Sequence, residues 1–131
     1  MKTQHVLKSG LAISIASFFL IVSCDSSTQY RASYSHDIQP IFNTKCLSCH
    51  GNAGQNNLEL TTYESTMNGQ SLNGPIVVAG NADASLLYEA VSKPDAEQSR
   101  INNRMPLNTN PLTVTQIQLI EDWIIEGAKD N

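Results

Sequence analysis

The sequence predicts a small all-α domain, a few helices folded around one covalently attached prosthetic group. Three observations lead there. Apolar residues recur at helical spacing near both ends of the chain. A long run of Asn and Pro residues without periodicity lies between them. The five residues Cys46-Leu47-Ser48-Cys49-His50 form a C-x-x-C-H pattern, the arrangement that attaches a c-type haem. Two thiols three positions apart each add to one vinyl group of the same porphyrin. His50 then follows directly as the proximal ligand of the iron.

The first 23 of the 131 residues read as a targeting segment rather than as part of the fold. Lys2 and Lys8 form a short basic region, and Leu11 to Val22 is apolar with small residues interspersed. That stretch is too short for a stable membrane span and fits a secretory signal. Ile21-Val22-Ser23-Cys24 resembles a bacterial lipobox, in which cleavage leaves Cys24 as a lipidated N-terminus. Residues 24–34, rich in Ser, Thr and Gln, read as a flexible tether spanning roughly 15–20 Å, and residues 35–131 as one monohaem domain.

The formal charge of the whole chain is −4. Loss of Lys2 and Lys8 with the signal leaves six basic residues against twelve acidic, a charge of −6. This argues against nucleic acid or an anionic lipid surface as the main partner and is compatible with a basic or neutral docking face on a redox protein of the cell envelope. The three cysteines are accounted for by one lipid anchor and two thioether bonds, so none remains for a disulfide framework. The covalent haem then serves as the staple that a small exported domain needs.

Ile38, Ile41 and Phe42 place a first helix that ends near Cys46, with Ser35 or Asp37 as its cap and Pro40 in its first turn. The attachment run would sit at the C-terminal end of that helix. Gly51 to Asn57 is a turn-rich loop, and a short helix covers Thr62 to Met67, ended by Asn68-Gly69. Ile76-Val77-Val78 reads either as a strand or as a buried extended segment. Asp83 is placed to cap a helix over Ala84 to Ser92, with Leu86, Leu87, Ala90 and Val91 on its apolar face. Lys93 to Leu112 has no pattern, and such a stretch inside a compact domain is usually functional or disordered. The last helix is the clearest: Thr113 to Gln116 fits a capping box, Ile117, Ile120, Trp123 and Ile124 form a stripe, and Gly127 terminates it.

Two side chains compete for the sixth position on the iron. Met105 stands in the long loop, directly before Pro106, among residues that offer no core stripe for it to fill. Its thioether would raise the reduction potential relative to two histidines. His36 precedes the first helix. Met67, at the end of a short helix, reads as packing. Arg104 is placed to reach a haem propionate, and Tyr63, Ile76, Val78, Leu86 and Trp123 are candidates either for the haem pocket or for the helix core.

Ser35-His36-Asp37-Ile38-Gln39-Pro40-Ile41-Phe42, the haem run with Gly51, Leu58-Glu59-Leu60, Ile76-Val77-Val78-Ala79-Gly80, Ser85-Leu86-Leu87, Arg104-Met105-Pro106 and the terminal Trp123 to Ala128 together resemble the small c-type cytochrome domains of planctomycetes and Bacteroidetes. The resemblance covers about residues 34–128 and departs at Ala79, where relatives often carry proline. It implies a fold similar to class I cytochrome c, thioethers at Cys46 and Cys49, and His50 with Met105 as the axial pair. A free-standing domain of this kind suits an electron carrier better than an enzyme, and the lipobox would hold it at the cell envelope through Cys24, on the periplasmic side of a bacterial membrane or at the outer surface. A haem-based sensor with a displaceable Met105 is the alternative. A zinc or dithiol protein without haem is a third reading, and the sequence leaves open a peroxidase or oxidase-subunit role.

Overall fold

A computed structural model describes residues 30–52, 54–93 and 99–131. The proposed signal segment, Cys24 and the first part of the tether lie outside the described residues. The described chain is helical, with five α-helices: α1 (Gln39–Lys45), α2 (Leu47–His50), α3 (Tyr63–Met67), α4 (Leu86–Ser92) and α5 (Val114–Ile125). A single two-stranded antiparallel hairpin joins β1 (Gln70–Ser71) to β2 (Gly74–Pro75). Among the described residues no helix is long and apolar enough to cross a membrane.

The chain enters α1 through one π-helical turn, Tyr34–Ile38. The cap is Ser33, not Ser35 or Asp37: Ser33 Oγ accepts the N–H of His36 at 3.3 Å. Asp37 does not cap because its carboxylate is turned backward. Its Oδ2 accepts the Ser33 N–H at 2.7 Å and its Oδ1 accepts the Tyr30 hydroxyl at 2.6 Å. Packing therefore starts within the expected tether, where Ala32 and Tyr34 are already buried. Pro40 stands in the first turn of α1, where its missing N–H does least harm.

Cys46 leaves helical geometry at φ −121°, and the attachment run forms a turn of its own, α2, instead of closing α1. One carbonyl organises it: Cys46 O accepts the N–H groups of Cys49 (3.1 Å) and His50 (2.8 Å). The following loop depends on Gly54, where a Cβ would stand 2.2 Å from the carbonyl oxygen of Leu58. No other residue allows the backbones to approach so closely.

Thr62 and Ser65 form a reciprocal capping box on α3. Ile76-Val77-Val78 takes the extended form rather than a strand, with Ile76 and Val77 buried and Ile76 O accepting the Leu87 N–H at 3.0 Å. Strand pairing falls just before it, in β1 and β2. The fourth helix starts two residues later than the pattern suggested, and Asp83 does not cap it. Ser85 is held extended because its hydroxyl accepts the Val78 N–H and donates to Asn81 O, each at 2.8 Å. Asn81 Oδ1 takes the Ala84 N–H in the same turn.

Helix α5 follows the sequence reading closely, with Thr113 and Gln116 forming a capping box. Gly127, at φ +102°, ends it. Ile120, Trp123 and Ile124 are fully buried with Ile38 and Phe42. The Tyr34 ring lies against Phe42, Tyr63 and Trp123, with centroids 6.3, 5.1 and 5.4 Å away. Trp123 Nε1 donates to Lys129 O at 2.9 Å, so the buried indole leaves no unpaired donor.

This packing predicts that Ile120→Ala lowers unfolding free energy by about 2–5 kcal/mol. Val114→Ala, at a position 83% exposed on the same helix, changes it by less than about 0.5 kcal/mol. Urea denaturation followed by circular dichroism measures both.

Candidate cofactor cleft

Cys46 and His50 border an apolar cleft of about 120 Å³, together with Leu58, Leu60, Ile76, Leu86, Leu87, Ala90, Val91, Ile101 and Met105. An adjoining cavity of about 210 Å³ shares Cys46, His50 and Met105 and adds Cys49 and Pro106. The attachment run and Met105, far apart in sequence, therefore meet at one place.

Each side is held by backbone bonds. His50 donates its N–H to Cys46 O and accepts the Leu60 N–H at 2.9 Å on its own carbonyl. Met105 donates its N–H to Ala90 O at 2.7 Å. Arg104 Nε donates to Val91 O at 3.1 Å, which ties this side chain to the end of α4.

The two cysteines are free, Cys46 partly buried and Cys49 exposed. Burial pushes the Cys46 thiol up to about 11, the neighbouring Cys49 adds to the rise, and Lys45 opposes it. A redox-active C-x-x-C pair depends on the opposite shift, toward a stable thiolate. Among the described residues no group of three or more His, Cys, Asp or Glu is arranged to hold a metal ion. Both findings weigh against the zinc and dithiol readings.

The remaining candidates separate cleanly. His36 is exposed on the π-helical turn and does not border the cleft. Ile76 and Leu86 line the cleft, whereas Trp123 belongs to the helix core. Tyr63 packs on Tyr34 and donates to Ala128 O at 2.8 Å. Met67 packs against the core from α3, and Val78 is only partly buried, its N–H given to Ser85.

Sequence reasoning missed one cluster. Glu89 on α4 is 3% exposed, and its carboxylate accepts from the Arg100 N–H, from Arg100 Nε at 2.6 Å and from Ser99 Oγ at 3.0 Å. Lys93 Nζ stands 4.0 Å away. The only sequence signal was a carboxylate set between apolar neighbours in a short helix. Burial pushes the Glu89 carboxyl up, but the Arg100 N–H, its guanidinium and the Ser99 hydroxyl outweigh this and hold it below the usual value.

Residues 46–106 match the family model described as planctomycete cytochrome C. Over this stretch, just under half of the chain, the sequence is similar to a small c-type cytochrome domain of the planctomycete type. The match begins on the first cysteine of the attachment run and ends on the proline after Met105, so it spans both sides of the cleft. Neither curated proteins nor solved structures give a match. The helical fold is compatible with a cytochrome c, and the domain points to a haem-binding electron-transfer role.

The residues present fit a haem. Two free thiols stand on one turn beside an apolar cleft. His50 Nδ1 is buried without a hydrogen-bond partner, and a buried ring nitrogen left unpaired is costly unless the imidazole is engaged otherwise.

Because Glu89 has a depressed pKa, its contribution is full above the unfolded value near 4.5 and is lost as the pH falls through the folded value. Arg100 is 39% exposed, so solvent screening limits the effect to about 1–2 kcal/mol. Glu89→Gln should be less stable than wild type at neutral pH by that amount, and the gap should close in acid. Urea unfolding at a series of pH values between about 7 and 3 measures it.

Proposed function

We propose that this cytochrome is a single-electron carrier of the cell envelope, with one haem attached through Cys46 and Cys49 and its iron held by His50 and Met105. The observation that carries this reading is the convergence of Cys46, His50 and Met105 on one apolar cleft. When bound, the haem supplies a one-electron change at iron. The protein's part is to hold and insulate it. Cys46 and Cys49 fasten the porphyrin, and the turn of α2 sets the height of the His50 ring. Leu58, Leu60, Ile76, Leu86 and Leu87 exclude water, which favours little rearrangement on reduction. With His50 and Met105 both holding the iron, the thioether would raise the potential and would leave no open position for a substrate, which supports a carrier over a peroxidase.

Two backbone-anchored positions, Met105 on Ala90 and Arg104 on Val91, favour the carrier over a sensor whose methionine leaves the iron. Lipidated Cys24 would anchor the domain to a membrane, on the periplasmic side or the outer surface, with redox proteins of the envelope as partners. The negative charge makes nucleic acid an unsuitable one.

Intact mass of the exported protein should show one haem added to the chain, and Cys46→Ala with Cys49→Ala should abolish the covalent addition. The oxidised wild type should show a sulfur-to-iron charge-transfer band that Met105→Ala lacks, and only the variant should bind carbon monoxide rapidly when reduced. Unmodified wild-type mass, or a spectrum indifferent to Met105→Ala, overturns the assignment. Cys24→Ser should move the cytochrome from the membrane to the soluble envelope fraction, as followed by haem absorbance after fractionation.

A further inference from the structure

We propose that Glu89 is a positioning residue for Met105, and that its buried carboxylate, with the last carbonyls of α4, fixes the 99–105 segment at the cleft. The inference rests on the reading of Met105 as an iron ligand and extends it to a residue outside the attachment run.

The last four carbonyls of an α-helix have no partner inside the helix. In α4 they are used in a defined way. Glu89 O accepts the Lys93 N–H at 3.2 Å, Ala90 O accepts the Met105 N–H at 2.7 Å, and Val91 O accepts Arg104 Nε at 3.1 Å. One position earlier in the same turn, the Glu89 carboxylate takes Ser99 and Arg100. Arg100 also reaches Asp83 O through its guanidinium at 3.2 Å, which ties the segment to the turn before α4. Three consecutive residues, 89 to 91, therefore hold both ends of the segment that delivers Met105.

The same helix forms part of the cleft, through Leu86, Leu87, Ala90 and Val91. The distance between cleft wall and Met105 is thus set within a single turn of α4. The segment has no helix or strand of its own, so its position depends on these ties. A carboxylate accepting from a backbone N–H, a guanidinium and a hydroxyl makes stronger hydrogen bonds than neutral groups do. Its partners lie in the Met105 segment and at the end of α4, not in the Trp123 core. Removing it should release the segment and leave the core intact.

The test uses the full haem-loaded cytochrome as wild type, Glu89→Gln, Arg100→Ala and Met105→Ala. Three properties are read: the sulfur-to-iron charge-transfer band, the reduction potential, and the rate at which the oxidised protein binds imidazole. Glu89→Gln and Arg100→Ala should weaken the band, lower the potential toward that of Met105→Ala and raise the imidazole rate about tenfold, with haem content and helicity unchanged. Wild-type band, potential and rate in both variants, even with a lowered melting temperature, overturn the proposal and make Glu89 structural only. If Glu89→Gln does not accumulate in folded form, Arg100→Ala, at a partly exposed position, decides by the same outcomes. A wild type whose spectrum is unaffected by Met105→Ala removes the underlying ligand assignment and this inference with it. A band lost only in Met105→Ala removes the role of Glu89 alone.

Discussion

The contact on which the site depends is made away from it, where the Trp123 indole and Ile124 of α5 pack beneath Tyr34 and Phe42. Helix α5 touches both the π-helical turn that leads into α1 and helix α4. Through the first contact it fixes the direction in which α1 delivers Cys46. Through the second it fixes the helix that carries the Met105 segment. A single apolar stripe therefore sets the separation between the two sides of the cleft. Burial of large aromatic and aliphatic side chains provides this without any polar device. Closure of α5 onto the remainder adds one backbone bond, from the Gly80 N–H to Ile124 O at 2.7 Å.

The two sides of the cleft are secured by different physics. The side with Cys46 and His50 is local: one carbonyl gathers two amides, and four residues complete a turn. The side with Met105 is assembled from residues distant in sequence, with helix-end carbonyls and a buried carboxylate in place of a helix. A covalently attached group needs only a local seat. In the proposed assignment a non-covalent axial ligand would need its approach held by the tertiary structure, because a thioether by itself would contribute a weak bond.

These differences decide what could be read from the residues alone. The haem run, the Thr113 capping box and the Ile120-Trp123-Ile124 stripe were legible because each is a pattern of neighbours. The cap of the first helix and the start of α4 were misplaced because several Ser and Asp residues compete there. The choice among them was made by partners elsewhere in the turn: Asp37 reaches back to Ser33, and Ser85 reaches Val78 and Asn81. Glu89 with Arg100 was invisible for a related reason, since an ion pair eleven residues apart leaves no periodic trace. Arg104 was assigned by adjacency to Met105, and the structure engages it with Val91.

Leu72 at the tip of the hairpin is fully exposed, and the β1–β2 pairing of Gln70 with Pro75 and Ser71 with Gly74 closes directly behind it. The strand residues Gln70 and Ser71 border the cleft, but neither Leu72 nor Asn73 does. The tip is thus mechanically separated from the cofactor seat by one closed ladder. A fluorophore or a short grafted peptide at Leu72 would sit beside the redox centre without entering its wall. The hairpin thereby supplies a built-in handle for a label that stays outside the cleft.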